Sequence, residues 1–195
     1  MESVLKTNAV IFVTYTLTTG SSISDFLLAV DKGADNASKV KGSIAWKLLV
    51  KDKQWADLLF FETMDDARNV STLCSTGALD LPYFKYLGKD DSLLHEPLNL
   101  HEFYNVKQSY SEQSHCTASN EVEFAYFNLK EGVSLPEFLI ASEKLHNDFI
   151  SKQKGYVSRK LLENDNMWAD LVVWETIEDA LNAEKAFHGD AVALE

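Results

Sequence analysis

Two cysteines, two arginines and no long apolar run set the first limits on this 195-residue chain. Cys74 and Cys116 are too few for a disulfide framework or a metal knuckle, so a reduced, cytoplasmic protein is the expectation. The longest apolar stretches are short, and Trp55–Phe61 is itself interrupted by Asp57. A bilayer crossing needs about 18–20 apolar residues, so no membrane span is predicted. The first residues, Met1 to Asn8, lack a basic start followed by an apolar stretch, so no signal peptide is expected. Arg68 and Arg159 are the whole arginine complement, the lysines are scattered, and the net charge is −12. Nucleic-acid affinity rests on clustered cations that neutralise phosphates, so a nucleic-acid partner is not expected.

Other absences narrow the chemistry. There is no glycine-rich phosphate loop, no serine in a nucleophile elbow and no His-x-x-x-His spacing. Nucleotide, metal and flavin cofactors are therefore not suggested, and the cofactor expectation is none. Of the five histidines, His146 could serve as an axial haem ligand and His101 could face a pocket, though a surface or packing role is the plainer reading of both. What remains, at 46% hydrophobic and 25% charged, is ordinary globular material with enough apolar mass for one large core or two small ones.

The chain repeats itself. At a shift of 113, Gly42–Asn69 falls on Gly155–Asn182 with 14 of 28 positions identical. At a shift of 112, Val10–Lys32 falls on Val122–Lys144 with 9 of 23 identical. That period is too long for a solenoid and marks a duplicated domain. Each copy opens with a β-branched and aromatic strand, Val10–Leu17 or Val122–Leu129. A capping box follows, Ser22 with Asp25 or Ser134 with Glu137, and then apolar residues at helical spacing. A glycine, Gly42 or Gly155, ends that segment. A hairpin comes next, Ser43–Lys51 with Trp55–Glu62 or Tyr156–Glu163 with Trp168–Glu175, turning at Asp52-Lys53 or Asp165-Asn166. A second box, Thr63 with Asp66 or Thr176 with Asp179, opens the second helix. Copy one adds an irregular stretch near 75–97 and a strand at Leu98–Val106. The order is β-α-β-β-α-β, the split βαβ unit. Residues 1–107 form the first unit, 108–120 a polar linker and 121–195 the second. The second unit lacks a clear last strand, unless Ala191–Leu194 supplies it.

The matched stretches, Lys-Leu-Leu followed by Trp-Ala-Asp-Leu and then Glu-Thr in both copies, resemble the dimeric α/β-barrel superfamily, in particular its antibiotic-biosynthesis monooxygenase-like group. The resemblance implies an α+β fold of two tandem ferredoxin-like units, packed sheet to sheet as an intramolecular pseudo-dimer. Both faces of each hairpin are mainly apolar, which fits a sheet covered on both sides. The group implies a small-molecule ligand and cofactor-independent monooxygenase chemistry on an aromatic or enolisable substrate. Its alternatives are a non-catalytic ligand-binding or stress-related scaffold, and a haem-binding protein.

Hairpin parity puts Trp46, Trp55 and Asp57 of copy one, and Arg159, Trp168, Asp170 and Trp174 of copy two, on one face of each unit. We read it as the inner face, turned away from the helices, with the indoles and carboxylates as ligand-pocket candidates. A packing role for each Trp and a local partner for each Asp is the plainer alternative. Copy two exchanges Trp46 for Arg159, so its inner face is the more polar and the favoured pocket. Arg159 is expected to pair with Asp170 or to hold an anionic or enolate oxygen.

Overall fold

The computed structural model describes residues 6–88, 102–110, 120–165 and 167–189. They form β1 (Ala9–Thr16), α1 (Ile23–Ser38), β2 (Ser43–Lys51), β3 (Gln54–Phe61), α2 (Met64–Ser75) and β4 (Glu102–Tyr110), then β5 (Glu121–Asn128), α3 (Leu135–Asp148), β6 (Tyr156–Asn164), β7 (Met167–Trp174) and α4 (Ile177–Phe187). Short 3-10 turns occupy Pro82–Tyr86 and Ile150–Lys152. The chain divides into two compact units between Val106 and Lys107.

Within the first unit the strands run in the order β2-β3-β1-β4, with antiparallel pairing throughout. Within the second, the order is β6-β7-β5, and the last residues of β4 lie beside β6. This is an α+β architecture built twice from one pattern. The first difference from the sequence reading is β4. It runs through Tyr110, so residues 108–110, expected to begin a linker, are strand. Residues 98–101, 111–119 and the candidate strand Ala191–Leu194 lie outside the described residues, as do His101 and Cys116.

The local causes are those the sequence offers. Ser22, Thr63, Ser134 and Thr176 each accept a backbone N–H three residues on, and Glu137 completes a full capping box. Each cap satisfies one of the donors a helix start leaves free. The hairpin registers put Leu48 opposite Asp57 and Arg159 opposite Val172, as the turn positions require. Asp52 and Asp165 take the left-handed conformation at the turns, one that aspartate tolerates better than most residues. One bulge recurs in both copies, between Ser43 and Ala45 and between Tyr156 and Ser158.

Core placement corrects the reading of the faces. In the first unit Phe26 and Val30 of α1 pack with Tyr15, Trp46, Leu48 and Trp55. Ala67 and Val70 of α2 pack on Ile11, Leu59 and Phe61 of the same face. In the second, Phe138 of α3 meets Trp168 edge-on at 4.7 Å, and Ala183 of α4 packs with Val172 and Trp174. The candidate face therefore lies under the helices, not away from them. Parity groups side chains correctly but does not say which group a helix covers. Here both groups are apolar, and Val10, Leu58, Leu162 and Leu171 on the opposite faces are buried as well. Each fully buried large side chain contributes roughly 1.5–3 kcal/mol.

Gly42 and Gly155 join the first helix of each unit to its hairpin at φ of +79° and +74°. A Cβ on either would collide with the first-turn carboxylate that accepts from the N-cap threonine of the next helix, Asp66 or Asp179. Gly20 has a similar φ of +84° but faces open space. In urea denaturation, Gly20→Ala should cost about 1 kcal/mol, the backbone penalty alone, whereas Gly42→Ala and Gly155→Ala should each cost clearly more. Equal losses at all three would contradict the close approach.

Candidate functional site

Asp57 sits near the middle of β3, 3% exposed and facing α1. Three side chains hold its carboxylate. Trp46 Nε1 donates to Oδ1 at 2.9 Å and Tyr15 OH donates to the same oxygen at 3.1 Å. Tyr83 OH donates to Oδ2 at 2.8 Å. The donors come from β2, β1 and the 3-10 turn after α2, so three separate pieces of chain converge on one group. Apolar rings enclose them. Phe26 lies 4.9 Å from Trp55, and Trp46 lies 5.4 Å from Tyr83. All three donors are neutral. A buried carboxylate held only by neutral donors keeps much of its desolvation cost. That burial pushes Asp57 up to about 6, against the lowering effect of its hydrogen bonds to Tyr83, Trp46 and Tyr15. Burial and the nearby carboxylate push both tyrosine hydroxyls well above their usual range, so they stay protonated donors. Cys74 is likewise pushed up to about 11, mainly by burial, which makes it a poor nucleophile.

Asp170 occupies the matching place in the second unit and is held differently. Arg159 donates through Nε to Oδ1 at 2.7 Å and through Nη2 to Oδ2 at 2.8 Å, a bidentate pair. The same guanidinium reaches α3, with Nη1 to Ser142 O at 2.8 Å and Nη2 to Ser142 Oγ at 3.0 Å. It is 1% exposed and lies 5.8 Å from the Tyr110 ring centre. Four of its five N–H groups are thus committed inside the unit. The pairing with Asp170 expected from the sequence is present, in a geometry that leaves little for an external anion. Trp168 packs on Phe138, and Trp174 donates to Glu123 at 3.0 Å. His146 stacks on Tyr110 at 3.7 Å, and its Nδ1 is enclosed without a hydrogen-bond partner. Burial and Arg159 hold its imidazole below the usual histidine range.

The structure thus splits the seven candidates into two clusters, Trp46, Trp55 and Asp57 in one unit and Arg159, Trp168, Asp170 and Trp174 in the other. Tyr15, Tyr83 and Ser142 were not singled out from the sequence. Tyr15 aligns with Phe127 and Ser142 with Val30, so the available signal lay in positions where the copies differ around an aspartate they share. Tyr83 has no aligned counterpart.

No protein-family model matches the sequence, and no curated protein matches it. Solved structures do. A presumed monooxygenase from Lactobacillus acidophilus NCFM superposes with a TM-score of 0.60 at 10% identity, over 91% of this chain and 82% of that one. An uncharacterized ferredoxin-fold protein from Listeria monocytogenes 4b F2365, related to antibiotic biosynthesis monooxygenases, gives 0.51 at 16%, over 95% and 82%. The chain has a ferredoxin-like fold. A heme-binding protein from Thermus thermophilus shares this ferredoxin-like fold, with a TM-score of 0.58 at 9% identity over 97% and 86%. At such identities the likeness concerns the fold, and function must be argued from the sites.

Two outcomes follow. The fold favours protonated Asp57, so that contribution to stability is complete below about pH 4 and is lost as the pH rises through 6. A displacement of that size is worth about 3 kcal/mol. Relative to wild type, Asp57→Asn should therefore gain stability from pH 4 to pH 7 in parallel denaturant titrations. A constant difference would contradict the buried carboxylate. In the second unit, Arg159→Met should cost roughly 3–5 kcal/mol by stranding Asp170 and the Ser142 carbonyl. Combining it with Asp170→Leu should recover much of that loss, and a double-mutant cycle measures the coupling.

Proposed function

We propose that this protein binds a small aromatic or enolisable molecule and, in the manner of a cofactor-independent monooxygenase, uses Asp57 to ionise it. The observation that carries the reading is the contrast between two equivalent aspartates. Asp170 is neutralised by Arg159, whereas Asp57 is held by neutral donors and has its proton affinity raised to about 6. A base tuned near the working pH takes a proton from a weakly acidic O–H or C–H most effectively. Trp46, Trp55 and Phe26 give the apolar wall that keeps water away. Once Asp57 is protonated its pull on Tyr15 and Trp46 weakens, and those donors can turn to the oxyanion forming on the ligand. The ionised ligand then meets oxygen directly, so the chemistry draws on the ligand's own electrons.

This places the reacting site in the first unit. Arg159, Asp170, Trp168 and Trp174 take a supporting role: the ion pair ties β6 and β7 to α3, and the indoles fill the space under the helices. The monooxygenase-like names of two fold neighbours favour the same class of activity. The haem reading has the Thermus neighbour behind it, but His146 is buried with its ring packed against Tyr110 and Tyr156.

Oxygen uptake with a panel of enolisable aromatic ketones and phenols tests the proposal. Asp57→Asn should lower turnover by on the order of 10²–10⁴-fold while leaving ligand quenching of tryptophan fluorescence in place. Turnover unchanged in Asp57→Asn would remove Asp57 as the base. Quenching without oxygen uptake by the wild type would favour the non-catalytic ligand-binding alternative.

A further inference from the structure

The first unit closes its cleft with the piece of chain that follows α2. Leu79–Gly88 crosses from the end of α2 towards β1 and is fastened mainly at its ends. Leu79 N donates to Leu73 O at 3.0 Å and Gly88 N to Thr16 O at 2.7 Å. Thr18 adds two bonds, from its amide to Tyr86 O at 2.8 Å and from its hydroxyl to Leu87 O at 3.0 Å. Asn36 of α1 also donates to Asp80 O at 2.9 Å, and Leu81, Tyr86 and Leu87 pack at the edge of the cluster, but the side chain that reaches its centre is Tyr83. Tyr83 is 4% exposed, ringed by Tyr15, Phe26 and Trp46, and bonded to Asp57. Gly33 of α1 makes the room, since a Cβ there would come within 3.2 Å of the Tyr83 ring. A glycine inside a helix costs stability, so the space it opens calls for a reason.

The second unit has a side chain at the place of Gly33. Leu145 aligns with Gly33 and packs against the cluster of Phe149, Val172 and Trp174. A helix side chain suffices where packing alone is needed. The first unit gives up that side chain and fills the space with a phenol borne on a segment tied at its two ends.

We propose that Leu79–Gly88 is a displaceable strap and that Tyr83 is a built-in stand-in for the ligand. This rests on the reading of Asp57 as the reacting group. The ligand takes the place of the Tyr83 ring and donates its own O–H or N–H to Oδ2 of Asp57. It is therefore planar, uncharged and about the width of a phenol. An anion is disfavoured because it would meet the Asp57 carboxylate in a site with no cation among the described residues around it. Binding must displace the Tyr83 bond first, so affinity is lowered by the fraction of time the strap is closed.

The test uses the full chain and p-cresol, the tyrosine side chain itself, with toluene and benzoate as controls. Hydrogen exchange should show the Leu79, Leu87 and Gly88 amides opening far more readily than those of β3, and p-cresol should raise their exchange further. Trypsin cleavage after Lys85 should accelerate with p-cresol in the wild type, a readout that needs no variant. Tyr83→Phe removes the latch and should bind p-cresol on the order of tenfold more tightly than wild type. Toluene and benzoate should bind far more weakly than p-cresol. Strap amides that exchange only with β3, cleavage indifferent to p-cresol, unchanged affinity in Tyr83→Phe, or equal binding of the controls would overturn the proposal. If the strap opens but Asp57→Asn leaves oxygen uptake intact, the base assignment falls and the strap stands. If Asp57→Asn abolishes uptake and the strap never opens, only the strap falls.

Discussion

A carboxylate placed in the dry layer between helix and sheet is the constraint around which both units are arranged. An aspartate there loses its water and must recover the loss from neighbours, and the available neighbours decide what it becomes. With an arginine alongside, the charge is matched and fixed. With only phenols and an indole alongside, it keeps an appetite for a proton near neutral pH. The same backbone position therefore yields a fixed ion pair in one copy and a carboxylate of raised proton affinity in the other.

The exchange between the two solutions involves several positions at once. Trp46, Val30 and Gly33 in the first unit stand where Arg159, Ser142 and Leu145 stand in the second. Arginine needs Ser142 on the facing helix to absorb its remaining donors. Valine at that place would keep the backbone carbonyl but strip one buried Nη2–H of its hydroxyl partner, at roughly 1–3 kcal/mol. Trp46 in turn has a single N–H, which Asp57 takes, and an apolar surface that suits Val30. The units have diverged as packed sets, so single substitutions that swap one member are poor imitations of the other copy.

Much of the fold was legible because duplication doubles the signal. The N-cap of every helix, both hairpin turns and the register that sets Arg159 opposite Val172 could be read from repeated residues and their spacing. The buried Arg159–Asp170 pair was legible for the same reason: register and parity place the two within reach. Two things were not. Parity could not say which face the helices cover, because an apolar residue at Leu58 looks like an apolar residue at Leu59. Tyr83 was invisible because attention to the repeat discounts what is present only once, and its partner Asp57 is distant in sequence. The face assignment then carried the preferred pocket with it, towards the copy whose carboxylate proves to be matched by a cation.

The bulge shared by the two copies has a consequence for how a strand displays its side chains. In a regular strand, residues three apart point to opposite sides. Val157 is the extra residue in β6, so Tyr156 opposite Trp174 and Arg159 opposite Val172 end up on the same side. That lets one short strand bring both an aromatic ring and a guanidinium to the helix layer, where Tyr156 meets His146 and Arg159 meets Ser142. Removing one residue at Val157 would turn Tyr156 through to the other surface of the sheet and strip His146 and Trp174 of that ring. Ile44 holds the matching place in β2, so both units carry this half-step at the same position although the side chains it displays differ.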